Sequence, residues 1–297
     1  MTSTVDNQWY YQKEEFYGTP SQISGLSFPV EKESRHKGIA FIMMVGMHLK
    51  LPQLTMATAA LFFQRFYMRR SFKDYKYYDV AATCIYLASK TEESTRKFKD
   101  IVIACAQKAA KKDTPIDDQS KASNTIHCKP IFPEFRVWKD TIIYTEELLL
   151  ETLCFDLSVE HPYHFLLNMF GNYTKDPQRG RKLKQVAWAF VNDSLRTTLC
   201  LTKSPKIVAM AALYVAGKYL DENMMESFGE SWRESYEPHE REIHGTCMPP
   251  GSKPGSEYQE NGTPSYGGYL NSPAKLATPV YGMDPDRPTN GDRSMAP

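Results

Sequence analysis

No apolar run in this sequence approaches the roughly 18 residues needed to cross a bilayer, and its opening stretch, MTSTVDNQWYYQKEEF, holds no secretory apolar segment. That pattern predicts a protein of the cytoplasm or nucleus with no membrane contact. Charge of one sign is missing too. Thirty-six Lys and Arg against 35 Asp and Glu leave +1, too even for binding driven by phosphate contacts, so no direct nucleic-acid binding is expected. Cysteine is sparse: Cys84, Cys105, Cys128, Cys154, Cys200 and Cys247 form no C-x-x-C pair. Several sit within apolar helical patterns, which predicts buried free thiols rather than disulfides or zinc ligands. No cofactor or metal site is expected. Strand-length alternation of polar and apolar residues is absent as well.

What is present has helical period. Ile39, Ile42, Met43 and Gly46 share one face, and Ala59, Phe62, Phe63 and Phe66 a second. Trp138, Ile142, Leu149, Thr152 and Leu153 make a third, and Leu183, Ala187, Phe190, Val191 and Ser194 a fourth. Ser204-Pro205 supplies a cap and a first-turn proline for a helix through KIVAMAALYVAGKYL. With 41% apolar residues, the chain can build the core of one or two domains. The fold class is all-α.

Two stretches break this pattern. Residues 248–297 contain 9 Pro and 7 Gly, a composition that cannot build a core and predicts disorder. The shift in composition begins near residue 230. The polar stretch 108–130 reads as a surface loop or insertion.

An internal repeat organises the rest. At an offset of 128, VAATCIYLASK (80–90) lies over VAMAALYVAGK (208–218), so that Val80, Ala81, Tyr86, Ala88 and Lys90 meet Val208, Ala209, Tyr214, Ala216 and Lys218. At the same offset Ala59 and Phe62 meet Ala187 and Phe190. A helix of small residues, apolar on every side, belongs at the centre of a bundle. Two copies of one bundle are expected, each wrapped around such a helix.

Motifs for chemistry are scarce. There is no G-x-G-x-x-G, H-R-D or D-F-G, which excludes a protein kinase of the usual type. The histidines of HEREIH (239–244) are five apart, about 140° around a helix, and so do not share a face as zinc ligands would. His161 and His164 flank Pro162 at a helix start, where capping or surface contact accounts for them. Ser272-Pro273 and Thr278-Pro279 could accept phosphate, and RGRKLK (179–184) fits either a nuclear signal or a solvated helix start. The most informative feature is LASKTEE (87–93), where a central apolar helix ends on a lysine and two glutamates. A lysine is costly to bury unpaired. On spacing alone Lys90 could snorkel and pair with Glu92, Glu93 or the terminal carbonyls.

The duplicated bundle, the helix ending LASKTEE and the later helix YTEELLLETLCFDL resemble the cyclin box. The nearest likeness is to the transcription-elongation cyclins, cyclins K and T. It is carried by WYYQKEEFYGTPSQISGL (9–26), RFYMRRSFKDY (65–75), KFKDI (97–101), FDLSVEHPYHFLL (155–167) and AWAFVNDSLRTTLCL (187–201). The resemblance implies an N-terminal arm over 1–34, a first box over 35–158 with an insertion at 108–135, a second, incomplete box over 159–230, and a disordered tail over 231–297. No counterpart of the second box's last helices is visible. Arg35, His36 and Lys37 stand where cell-cycle cyclins carry an apolar docking groove and are poor material for one.

The resemblance also implies a function without catalysis. In cyclins the residues at the positions of Lys90 and Glu146 pair with each other and hydrogen-bond main-chain groups around the αC helix of a cyclin-dependent kinase. Thr91, Leu150, Phe155 and Leu157 fall at neighbouring contact positions, and Glu146 and Leu150 share a helix face. The expected partner is a cyclin-dependent kinase of the transcriptional type, with the RNA polymerase II tail as the complex's substrate and the nucleus as its place. Whether a third subunit takes part stays open. Two alternatives remain. One is a kinase-independent adaptor. The other is a transcription factor of the TFIIB type, which would call for an N-terminal zinc ribbon and basic faces that do not appear.

Overall fold

The computed structural model describes residues 8–110 and 133–247. Every regular element among them is helical. A 3-10 turn (Lys13–Tyr17) and a short α1 (Pro20–Ile23) precede the first bundle. That bundle comprises α2 (Phe28–His48), α3 (Gln53–Arg69), α4 (Tyr77–Thr91), α5 (Phe98–Ala109) and α6 (Pro133–Thr152). The second comprises α7 (Pro162–Phe170), α8 (Pro177–Ser194), α9 (Pro205–Tyr219), α10 (Met224–Phe228), α11 (Glu230–Tyr236) and α12 (Glu240–Cys247).

The central position of α4 follows from its sequence. Val80, Ala81, Ala82, Cys84 and Ala88 are each 0% exposed, and α2, α3, α5 and α6 all pack against it. Small side chains let four neighbours approach one backbone. In the second copy α9 takes that position, surrounded by α7, α8 and α12. Its bounds are those of α4 displaced by 128 residues. Ser204 caps α9 by accepting from the Ile207 amide, with Pro205 in the first turn. Gly38 matters for the α2–α3 approach, because a Cβ there would overlap the Phe63 ring.

Three expected boundaries need correction. The first bundle begins at Phe28, not residue 35, because the turn from Phe28 to Ser34 continues into the rest of α2. The second box is not cut off at residue 230: α11 and α12 fold back, burying Trp232 and Ile243, and α12 packs along α9. The stretch 231–247, expected to be disordered, is therefore helical. Only its apolar residues bury, and they are too widely spaced among charged ones to signal a core. At the insertion, helix runs into both ends of 108–135, and 111–132 lies outside the described residues, as does 248–297.

Arg35 is also corrected. Expected only to be poor material for an apolar groove, it is 4% exposed and lines no surface. Its guanidinium pairs with Glu31 at 2.7 Å and donates to the carbonyl of Tyr67 and the side chain of Gln64. Glu31 in turn accepts from Thr19 and Gln22, so each charge keeps its hydrogen bonds on burial. His36 and Lys37 are exposed.

Polar side chains join the two bundles. Gln53 donates to Tyr163 and Asn192, both at 3.0 Å. Thr58 on α3 donates to the Glu92 carboxylate at 2.7 Å and meets His161 Nε2 at 2.7 Å. Since its one proton goes to Glu92, the threonine accepts from His161, which fixes the Nε2–H tautomer. Burial holds His161 neutral, with its pKa lowered to about 4.

Candidate interaction face

α4 ends at Thr91, and its last turn brings Lys90 out of the core. The side chain of Lys90 pairs with Glu146 on α6. Its ammonium also lies 4.2 Å over the Tyr86 ring, one turn earlier, a cation–π contact that orients it. The lysine side chain is 40% exposed and the glutamate 19%, so both remain open to an incoming group. The local partners that spacing alone allowed are not used. Glu92 accepts from Thr58 instead. Glu93, at φ 50°, turns the chain out to solvent.

The other expected residues lie at the end of α4, on α6 and on the turn that follows α6. Thr91 is half-buried, its hydroxyl donating to the Ala88 carbonyl at 3.1 Å. Leu150 is half-buried one turn beyond Glu146. After α6 the Phe155 amide reaches back to the Leu150 carbonyl at 3.0 Å, while Cys154 and Phe155 take left-handed φ values of 53° and 56°. This closes the helix in the manner of a Schellman motif and leaves the Phe155 ring 68% exposed. Leu157, two residues on, is half-buried. A solvated phenyl ring held on a fixed turn is suited to binding a partner.

Sequence reasoning missed part of this face. Ile143 is 51% exposed and stands three residues before Glu146, so the spacing that places Leu150 beside the glutamate could have found it. Tyr86, the ring under Lys90, carried no such signal. Nor did Trp9, whose indole Nε1–H donates to Asp156 at 2.7 Å. Among the described residues no group of three or more His, Cys, Asp or Glu side chains could hold a metal ion. His244 instead bonds the Tyr236 hydroxyl at 2.6 Å. Cys84 and Cys105 are buried free thiols, and burial pushes both pKa values up. Cys128 lies outside the described residues.

Comparison with known proteins agrees with this architecture. Cyclin pch1 of Schizosaccharomyces pombe is 45% identical over 211 residues, covering 71% of this chain and 57% of that protein. Cyclin-K of Homo sapiens is 39% identical over 211 residues, covering 71% and 33%. The chain thus spans about half or less of these relatives. A chain of the yeast RNA Pol II CTD kinase CTDK-1 complex shares the fold with TM-score 0.58 at 19% identity, covering 85% of this chain and 79% of that one. The family described as Cyclin, N-terminal domain matches residues 7–158, more than half of the sequence, and this chain belongs to it.

Proposed function

We propose that this chain is the regulatory subunit of a transcriptional cyclin-dependent kinase and contributes no catalysis of its own. The observation that carries this reading is the Lys90–Glu146 pair, left open to solvent, with Leu150 one turn along α6 from the glutamate and the exposed Phe155 ring on the turn that closes that helix. The names of the relatives, Cyclin pch1 and Cyclin-K, support it, as does the fold shared with a chain of an RNA Pol II CTD kinase complex.

The mechanism is allosteric. A kinase of this class, alone, holds its αC helix where the Lys–Glu ion pair that aligns the ATP phosphates cannot form. A rigid bundle face that binds the inward position better shifts the population toward the active state. Lys90 and Glu146 would hydrogen-bond main-chain groups around αC, with Thr91, Leu150, Phe155 and Leu157 packing on it. The substrate of the assembled kinase would be the repeat tail of RNA polymerase II, and the complex would act in the nucleus.

Affinity purification of the tagged chain, followed by a kinase assay on polymerase tail repeats, tests this. Co-purifying activity that depends on Lys90 is expected. A stable complex devoid of kinase activity would favour the adaptor reading, and the proteins recovered would reveal whether a third subunit is present.

A further inference from the structure

The turn that projects Phe155 carries two successive left-handed residues, Cys154 and Phe155. Side-chain-bearing residues persist in that region only where their surroundings over-determine it. Here the surroundings come from the N-terminal segment. Trp9, 3% exposed, donates its Nε1–H to the Asp156 carboxylate at 2.7 Å. Its ring lies 4.1 Å from the Arg69 guanidinium and 4.8 Å from that of Arg65. Arg69 then donates to the Thr152 carbonyl at 3.0 Å and the Cys154 sulfur at 2.7 Å. Arg65 reaches the Asp156 carbonyl at 3.5 Å. One indole thus organises contacts to Thr152, Cys154 and Asp156, on both sides of Phe155. Two residues along, the Tyr11 amide donates to the Leu201 carbonyl at 2.8 Å, anchoring the segment on the second bundle.

We propose that Trp9 is a positioning residue that acts through Asp156 and Arg69 to hold the 152–157 turn in the conformation presenting Phe155. The effect on the turn is independent of any partner. Its consequence for kinase binding rests on the function proposed above. A Trp9 that merely fills the core would stabilise all helices alike, whereas a positioning Trp9 acts on this turn first.

The test uses the full chain as Trp9→Ala and Trp9→Phe. The amides of Cys154, Phe155 and Asp156 bond to Glu151, Leu150 and Leu153, so their hydrogen exchange reports the turn. Trp9→Ala should speed their exchange about tenfold or more while amides of central α4 stay protected. Trp9→Phe keeps a ring under the arginines but loses the donor, and should give a smaller rise. Affinity for a purified cyclin-dependent kinase should fall in the same order, about tenfold for Trp9→Ala. Unchanged exchange at the three amides, or a rise shared equally by α4, overturns the proposal. If Trp9→Ala does not fold, full protection of the three amides in Trp9→Phe overturns it. Failure of the wild-type chain to bind kinase would reject the functional reading but leave the exchange result decisive for Trp9.

Discussion

Lys90 and Glu146 pair across 56 residues of sequence, joining the end of the central helix to the last helix of the first bundle. Both side chains keep contact with water, so the pair contributes less than about 1 kcal/mol to folding. Lys90→Ala and Glu146→Ala should therefore leave the thermal midpoint nearly unchanged. On the proposed function, where a kinase would bury these charges, each should cost about 2–5 kcal/mol of affinity. A double-mutant cycle by calorimetry should show coupling above about 0.5 kcal/mol. Additive effects would mean that the two do not form one site.

Phe155 separates binding from stability. Its ring is 68% exposed, so Phe155→Ala removes little buried surface. The midpoint should move by no more than a few degrees, while kinase affinity should fall by about 2 kcal/mol or more, as for a hot-spot aromatic. Wild-type affinity in this variant would remove the ring from the interface.

Two truncations test where the second bundle ends. Stopping the chain after Cys247 should leave helical ellipticity and midpoint nearly unchanged. Stopping it after Glu230 removes the buried Trp232 and Ile243 and should melt the second bundle earlier and separately. In the full chain, Ile243→Ala should cost about 2–5 kcal/mol in a urea titration.

His161 predicts an acid limit. Its pKa drops from 6.5 to about 4 on folding, so between those values the unfolded chain binds more protons. Stability contributed by the neutral imidazole is complete above pH 6.5 and is lost as pH falls through 4, to a total of roughly 3 kcal/mol. The midpoint should decline across that window, and His161→Gln, which keeps a side-chain donor for Thr58, should flatten the decline. An equally steep decline in the variant would place the titrating group elsewhere.

The central helices were legible in the sequence because their middle turns are buried on nearly every side. α4 and α9 each bury nine of fifteen residues, so small-residue composition and the 128-residue repeat identify both. The Lys90–Glu146 pair was reached through the resemblance, not through spacing, since 56 residues carry no periodic signal. Arg35 could not be read as buried: Glu31 lies four residues before it on the same helix, but its acceptors Gln64 and Tyr67 on α3 become neighbours only after packing. Trp9 was illegible for the same reason: its partners lie more than 50 residues away. In α11 and α12, single apolar residues bury among charged ones, Trp232 near Phe228 and Ile243 against Met210 and Ala211 of α9, too few for a hydrophobic period to emerge.

The duplicated lysine bears on stoichiometry. Lys218 lies 5.8 Å over the Tyr214 ring, as Lys90 lies over Tyr86. Where the first copy supplies Glu146, the second sets His244 5.0 Å from the same tyrosine, and among the described residues no carboxylate pairs with Lys218. Two intact ends would make the chain a bivalent crosslinker able to bridge two kinases. Among the described residues only the first copy's lysine is paired with an acid, and on the proposed function the assembly closes at one kinase for each chain.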